Sequence, residues 1–126
     1  MEQPSKGHHI LVAEDDPVMV KLLEFTLMRE GYTVSVCREG DTVVDKARRE
    51  NPDLLLVDYI LPGMTGDQVA KAFQEDDELS KIPIIVVTGQ GRESIRNKML
   101  DIGVQEVFTK PFSPITLMAD IKKYLR

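Results

Sequence analysis

The chain has 126 residues, 42% of them hydrophobic, and a formal net charge of −5, which fits one globular domain with one core. Its acidity argues against non-specific binding of nucleic acid, and its apolar runs are far shorter than the roughly 20 residues that span a bilayer. The single cysteine, Cys37, excludes an internal disulfide. Residues 1–9 lack the apolar segment of a signal peptide. We therefore expect a cytoplasmic protein with a flexible lead at 1–8 and one domain at 9–126.

Five short apolar runs with strand character alternate with five longer segments of helical period. Three of the runs are almost purely apolar, which is typical of parallel strands covered on both faces. The pattern predicts an α/β fold of the (βα)5 type, a doubly wound sheet of five parallel strands. The predicted strands are 9–14, Thr33–Cys37, Leu54–Asp58, Ile84–Thr88 and Glu106–Thr109.

The ends of the helices are marked by capping residues. Asp16 followed by Pro17 predicts the start of the first helix, which ends before Gly31, and Gly103 predicts the end of the fourth helix at 93–102. The second helix is predicted at 41–50, the third from about residue 66, and the fifth through the end of the chain. On the first helix, we expect one buried face made of Met19, Leu22, Leu23, Thr26 and Leu27.

Polar residues stand at the carboxyl ends of the predicted strands. In open parallel sheets, ligands bind beyond these ends, so Glu14, Asp15, Asp58, Thr88 and Lys110 are expected to meet at one edge. Taken singly, each has an ordinary structural interpretation as a cap, a strand residue or a surface charge. Together they indicate a site, because carboxylates about 4 Å apart repel by about 4 kcal/mol per pair at an effective dielectric near 20.

A divalent cation would relieve that repulsion. A site built from oxygen ligands, with room for water, suits Mg²⁺, or Mn²⁺ in its place. A metal, an ammonium group and a hydroxyl donor beside a carboxylate nucleophile are what phosphoryl transfer requires. Asp58, which ends the apolar run DLLLVD at 53–58, is the predicted nucleophile because aspartyl phosphate is a recognised covalent intermediate.

Five segments carry a resemblance to a known family: ILVAEDDP at 10–17, DLLLVD at 53–58, LPGMTG at 61–66, PIIVVTG at 83–89 and FTKPF at 108–112. In this order and spacing, they resemble the receiver domain of bacterial two-component response regulators, including the chemotaxis regulators. The resemblance covers nearly the whole chain. It implies a flavodoxin-like strand order 2-1-3-4-5 and a phosphorylation-dependent signalling switch, with no turnover of a small molecule as its purpose.

The resemblance also implies roles for the acidic residues. Asp58 is the expected phosphoacceptor, which takes the phosphoryl group from a histidine kinase or a histidine phosphotransfer protein. Glu14 and Asp15 are the expected acidic pair at the metal, and Asp58 and the backbone carbonyl of Ile60 complete the protein ligands. Glu14 occupies a position where Asp is also common in the family.

Further roles follow from the same resemblance. Thr88 is expected to contact the phosphoryl group and to move on activation, while Gly89 leaves room for that group. Lys110 is expected to pair with a phosphoryl oxygen, and the Lys110–Pro111 peptide is expected to be cis.

Some positions depart from the family pattern or vary within it. An aromatic residue often lies three positions before the lysine, whereas this chain has Val107 there. Ile60 and Gln90 border the path of attacking water, so we predict that they tune the lifetime of the phosphoryl group. The fourth helix, fifth strand and fifth helix are the expected output face, and its first candidates are Ile95, Met99, Val107 and Phe108, whose default interpretation is core packing.

Two alternatives remain open. A phosphatase of the haloacid dehalogenase type also uses an aspartate and Mg²⁺, but it expects a second Asp where Ile60 stands. The chain could instead be the receiver part of a longer regulator with a DNA-binding or enzymatic output. The expected partners are a phosphoryl donor and a downstream protein or appended domain, without direct contact to nucleic acid or membrane, in a monomer or a phosphorylation-dependent dimer.

Overall fold

A computed structural model describes residues 8–89, 91 and 93–125. It contains five strands and five α-helices in strict alternation, joined by short loops with single 3₁₀ turns at Gly40–Thr42 and Leu79–Lys81. Residues 1–7 of the flexible lead predicted at 1–8, and the predicted modulator Gln90, lie outside the described residues. The elements are β1 (His9–Ala13), α1 (Pro17–Arg29), β2 (Thr33–Cys37), α2 (Val43–Glu50), β3 (Leu54–Asp58), α3 (Gly66–Gln74), β4 (Ile84–Thr88), α4 (Glu93–Ile102), β5 (Glu106–Thr109) and α5 (Pro114–Tyr124).

All strand pairings are parallel, and the sheet order is β2-β1-β3-β4-β5, so the predicted fold class and strand order are confirmed. Successive residues of β3 point to opposite faces. Leu54 and Leu56 pack under α1 and α5, whereas Leu55 and Val57 pack under the helices of the other layer. β3 is buried along its whole length, and its carboxyl end is therefore held rigidly at the centre of the sheet.

The helix ends follow the capping residues. The carboxylate of Asp16 accepts the Val18 N–H at 3.0 Å at the start of α1. Gly103, with a φ of +120°, ends α4 in a conformation that favours glycine. The second helix differs from its prediction in one respect: its first turn, Gly40–Thr42, is 3₁₀, and the α-helix begins at Val43.

The predicted buried face of α1 was partly wrong. Leu22 is 41% exposed, whereas Val20, which was not predicted, is 2% exposed and packs with Leu23 and Leu27. Both sides of this helix carry apolar residues, so periodicity alone could not show which side faces the sheet.

Gly40 packs the loop after β2 against the loop after β3. A Cβ atom on Gly40 would lie 2.1 Å from the carbonyl oxygen of Met64, and the Gly40 N–H donates to the Pro62 carbonyl at 2.7 Å. Gly66 returns the chain to the end of β3, since its N–H donates to the Tyr59 carbonyl at 2.7 Å. The turn after Asp58 is thus fixed at both of its ends.

Candidate functional site

Asp58 is the last residue of β3 and lies at the carboxyl edge of the sheet. Its side chain is almost buried, with 7% of the residue exposed. One carboxylate oxygen, Oδ1, accepts the backbone N–H of Ile60 at 3.1 Å. The backbone of the next residue, Tyr59, donates to the carbonyl of Val87 in β4 at 2.9 Å. These contacts leave Oδ2 of Asp58 directed toward the other polar groups of the site.

Lys110 reaches this oxygen from the end of β5. Its Nζ lies 2.8 Å from Oδ2 of Asp58 and 3.3 Å from Oε1 of Glu14. The Lys110 backbone is fixed as well, because its N–H donates to the Thr88 carbonyl at 2.7 Å. The Lys110–Pro111 peptide is cis, as expected. One ammonium group therefore bridges two buried carboxylates from different strands.

Glu14, Asp15 and Asp58 form an acidic cluster at this edge. One carboxylate oxygen of each lies within 4.8 Å of the other two, which is the arrangement needed to hold a cation. Glu14 is 2% exposed, and its Oε2 accepts the Asp16 N–H at 3.1 Å. Since Oε1 of Glu14 faces Lys110, both of its oxygens contact protein groups, whereas Asp15 is exposed. Asp15 therefore offers the most accessible oxygens, and the buried carboxylates of Glu14 and Asp58 stand behind it.

Burial and mutual contacts set the charges. Burial raises the pKa of the Glu14 carboxyl, and the neighbouring Asp58 carboxylate raises it further, while the Asp16 N–H and Lys110 act in the opposite direction. Burial alone would lower the pKa of Lys110, but the hydrogen bond and charge of Asp58, together with Glu14, outweigh burial and raise it. Lys110 therefore stays protonated. With all carboxylates ionised, one ammonium faces three negative charges, and the cluster attracts a further cation.

Thr88 ends β4 and is fully buried beside β3 and β5. A Cβ atom built on the next residue, Gly89, would find nothing within 4 Å, so there is open space beside this strand end. The side chain of Ile60 stands at the rim of the site, with 53% of the residue exposed. The structure thus brings Glu14, Asp15, Asp58, Ile60, Thr88, Gly89 and Lys110 to one edge of the sheet.

The predicted output residues are placed differently. Met99 is fully buried, Val107 is 8% exposed, and Ile95 packs against the same core cluster, so their side chains contact the interior. These three residues therefore pack in the core, in agreement with their default interpretation. Sequence reasoning missed Arg96 of α4, whose guanidinium donates to the Val107 carbonyl at 3.1 Å. No sequence signal marks this contact, since it joins an exposed side chain to a backbone oxygen on another element.

Comparisons with known proteins agree with this geometry. The family model of the response regulator receiver domain matches residues 10–122. The chain is 36% identical over 117 residues to the phosphate regulon transcriptional regulatory protein PhoB of Rhizobium meliloti, and the match covers 93% of this chain and 52% of that protein. The chain therefore spans about half the length of this relative.

Solved structures give the same result. A putative response regulator from Chloroflexus aurantiacus superposes with a TM-score of 0.90 at 29% identity, covering 95% of this chain and 98% of that one. The receiver domain of the sensor histidine kinase PA1611 of Pseudomonas aeruginosa, solved with magnesium in its active-site cleft, has a TM-score of 0.86 at 28% identity, covering 94% and 98%.

The fold and the acidic pocket define a receiver-type signalling module. The chain belongs to the response regulator receiver domain family. This membership favours the signalling switch over the haloacid dehalogenase alternative. Within the described residues, no helix is long and apolar enough to cross a membrane.

Proposed function

We propose that Asp58 accepts a phosphoryl group from a phosphohistidine on a histidine kinase or a histidine phosphotransfer protein. The observation that carries this proposal is the contact of 2.8 Å between Oδ2 of Asp58 and Nζ of Lys110, inside a cluster of three carboxylates. In the transfer, a carboxylate oxygen of Asp58 forms a bond to phosphorus while the bond from phosphorus to the histidine nitrogen breaks. The histidine nitrogen keeps the electron pair of the broken bond, so a phosphohistidine ring that is protonated on its other nitrogen leaves as neutral imidazole, and Asp58 becomes an acyl phosphate.

The residues present fit a divalent cation. Asp15 supplies exposed carboxylate oxygens, the buried carboxylates of Asp58 and Glu14 lie next to it, and the Ile60 carbonyl is the proposed backbone ligand. Such an oxygen-rich set suits Mg²⁺, or Mn²⁺, and a bound cation would neutralise charge on the phosphoryl oxygens. The magnesium in the cleft of the related kinase receiver supports this choice.

The protein groups have separate tasks in this proposal. Lys110 already lies where it can pair with a phosphoryl oxygen, because it contacts the oxygen of Asp58 that would carry the new group. The Thr88 hydroxyl donates a hydrogen bond to the phosphoryl group, and the open space at Gly89 admits that group. A few charge-assisted hydrogen bonds of about 1.5–3 kcal/mol each can supply the roughly 5.5 kcal/mol that reverses a 1:99 population.

The output belongs to the same proposal. Phosphorylation shifts the face formed by α4, β5 and α5 and thereby changes binding to a downstream protein or an appended output domain. The relative PhoB is named as a transcriptional regulatory protein, and this name supports a DNA-binding output as the proposed appended domain. The receiver itself, at a net charge of −5, is not the part that binds nucleic acid. Self-catalysed phosphorylation and autodephosphorylation are its proposed chemistry, and the cytoplasm is its proposed location.

Mass spectrometry after incubation with acetyl phosphate and Mg²⁺ tests the proposal. We expect a gain of one phosphoryl group that disappears in Asp58→Asn and in the presence of EDTA. Asp53→Asn is a matched control, because Asp53 precedes the same strand at its opposite end and its carboxylate accepts the His9 N–H there at 2.7 Å. Labelling of Asp58→Asn equal to that of the parent chain would overturn the assignment.

The proposed tuning positions have their own test. Ile60 stands half-exposed at the rim, so substitution by Asn should leave the fold intact and change the access or orientation of water. The dephosphorylation rates of Ile60→Asn and Gln90→Glu are expected to differ from the rate of the parent chain. Each rate is measured as the loss of the acyl phosphate over time. Identical lifetimes in both variants would show that these positions do not modulate the reaction.

A further inference from the structure

The boundary between α3 and α4 is open and polar at the surface. A groove of about 920 Å³ lies between the two helices, and Gln68, Lys71, Ser94 and Asn97 are among the polar side chains that line it. On the inner face of α4, Met99 is fully buried in the core. α4 is therefore held on the sheet by its inner face, whereas an open groove separates part of its flank from α3.

Two polar contacts cross between these helices, one toward each end of α3. At the start of α3, Nζ of Lys98 lies 2.9 Å from Oδ2 of Asp67. At the end of α3, Nε2 of Gln74 donates to the Gly103 carbonyl at 3.4 Å. The first contact is the stronger, because it is shorter and joins two charged groups. Lys98 and Asp67 therefore form a polar link between α4 and the first turn of α3.

Asp67 is fixed to the turn that follows Asp58. The Thr65 hydroxyl donates to Oδ1 of Asp67, and the side chain of Asp67 is 16% exposed. Between these two residues, the Gly66 N–H donates to the Tyr59 carbonyl at 2.7 Å, and a Cβ atom on Gly66 would lie 2.8 Å from the Cα atom of Tyr59. The first turn of α3 is thus packed on the backbone beside Asp58, and Asp67 is an anchor on that backbone.

Both groups of the pair are charged at neutral pH. Burial alone would raise the pKa of the Asp67 carboxyl, but the hydrogen bonds from Thr65 and Lys98 and the charge of Lys98 lower it. The hydrogen bond to Asp67 and the charge of that carboxylate raise the pKa of Lys98. The Lys98 side chain is 54% exposed, so water competes for its ammonium group. The link can therefore break at a low cost, without unfolding of α4.

We propose that the Asp67–Lys98 ion pair restrains α4 against the turn after Asp58 while Asp58 is a free carboxylate, and that the pair opens when α4 moves. This inference rests on the proposed function, in which phosphorylation shifts α4. In the structure, Oδ2 of Asp58 contacts Lys110 directly at 2.8 Å, so the observed position of α4 accompanies the free carboxylate. Where an activated arrangement is populated at about 1:99, loss of one exposed ion pair raises its population about two- to fivefold.

Hydrogen exchange of the α4 amides tests the restraint in the unphosphorylated chain. Lys98→Met and Asp67→Asn should each raise the exchange rates of residues 93–102 by about two- to fivefold and leave those of α5 unchanged. Lys71→Met is the matched control: Lys71 lines the same groove and its loss changes the net charge equally, but within the described residues no carboxylate forms an ion pair with it. This variant should exchange like the parent.

Two further variants separate the ion pair from a general effect on helix stability. Lys98→Arg keeps the charge and should keep the slow exchange of the parent. The double variant with Asp67→Asn and Lys98→Met should exchange no faster than the faster of the two single variants, because either substitution already removes the contact. Additive effects of the two substitutions would overturn the proposed pairing.

Titration with beryllofluoride and Mg²⁺, followed by NMR, tests the part of the pair in the switch. Beryllofluoride mimics the phosphoryl group, and it should bind Lys98→Met about two- to fivefold more tightly than the parent, since the restraint no longer opposes the shift of α4. Loss of a positive charge would by itself weaken the binding of an anion. Lys71→Met, which loses the same charge, should therefore bind no more tightly than the parent.

Three results would overturn the proposal. Equal exchange of α4 in Lys98→Met and Lys71→Met would show that the pair does not restrain the helix. Faster exchange in Lys98→Met with unchanged affinity for beryllofluoride would show that the pair holds α4 but has no part in the switch. A parent chain that gains no phosphoryl group from acetyl phosphate and binds no beryllofluoride would refute the phosphoacceptor assignment and the switch with it, and the exchange rates would then still decide whether the pair restrains α4.

Discussion

Removing the ammonium group of Lys110 should destabilise the fold through the two carboxylates that it now bridges. In Lys110→Met, Asp58 and Glu14 remain buried but lose contacts of 2.8 and 3.3 Å to a cation. A charge-assisted hydrogen bond contributes about 1.5–3 kcal/mol, and breaking a fully buried pair costs about 3–5 kcal/mol. The Lys110 side chain is 24% exposed, so water compensates part of the loss. We expect the free energy of unfolding at neutral pH to fall by about 2 kcal/mol.

The dependence of this loss of stability on pH and on Mg²⁺ can be predicted. The carboxylates raise the pKa of Lys110 above 10.5, so the stabilisation is fully present below pH 10.5 and is lost only as the pH rises through the elevated folded-state value. The difference between parent and variant should therefore be constant from pH 7 to 9. Mg²⁺ should stabilise Lys110→Met more than the parent, because the ammonium no longer repels the added cation; tenfold tighter binding corresponds to about 1.4 kcal/mol.

Urea unfolding monitored by circular dichroism, with and without Mg²⁺, measures these differences. Lys122→Met is the matched control: Lys122 also lies 2.8 Å from a carboxylate, that of Glu30, but the two side chains are 56% and 39% exposed. Exposed pairs contribute at most about 1 kcal/mol, so this variant should lose little stability and show no Mg²⁺ dependence. The reasoning would be refuted if both variants lost the same stability, or if Mg²⁺ stabilised Lys110→Met no more than the parent.

Three other substitutions give contrasting expectations. Burial raises the pKa of Glu14 above 4.5, so the contribution of this carboxyl to stability should fall as the pH rises above 4.5. Glu14→Gln should therefore gain stability relative to the parent between pH 4 and pH 7, and a difference in unfolding free energy that stays constant across that range in urea unfolding would contradict this. Gly40→Ala should cost about 1–3 kcal/mol, because its Cβ would lie 2.1 Å from the Met64 carbonyl oxygen. Gly89→Ala meets open space and should melt within a degree or two of the parent, so equal melting of both alanine variants would show that Gly40 is not packed as described.

Most of the fold could be predicted because its signals are local. The sequence of a buried parallel strand is an unbroken run of apolar residues. For that reason the first and last residues of β3 and β4 were predicted correctly. The ends of α1 and α4 followed from Asp16, Pro17 and Gly103, whose conformational preferences do not depend on distant contacts. The meeting of Asp58 with Lys110 was also predictable, since parallel strands bring their carboxyl ends to one edge.

The remainder depends on tertiary contacts that leave no local pattern. The Glu14–Lys110 contact joins residues 96 positions apart, and it places Glu14 beside the ammonium rather than in the open part of the acidic cluster. The buried side of α1 was predicted incorrectly because Leu22 and Val20 are both apolar, and only the packing against the sheet distinguishes them. The periodicity of apolar residues identifies the buried face of a helix only when the opposite face is polar.

The contacts between β4, β5 and α4 form a chain of hydrogen bonds from the acidic cluster to α4 that does not use the side chain at position 107. The Lys110 N–H donates to the Thr88 carbonyl at 2.7 Å, so the end of β5 is attached to the end of β4. Three residues earlier on β5, the Val107 carbonyl accepts the Arg96 guanidinium at 3.1 Å. α4 buries Met99 fully and packs Ile95 and Ile102 against the same core cluster, so apolar contacts hold it on the sheet in addition to the Arg96 hydrogen bond. Backbone hydrogen bonds and one arginine therefore join the end of β4 to α4 through the backbone of Val107, without a contact from its side chain.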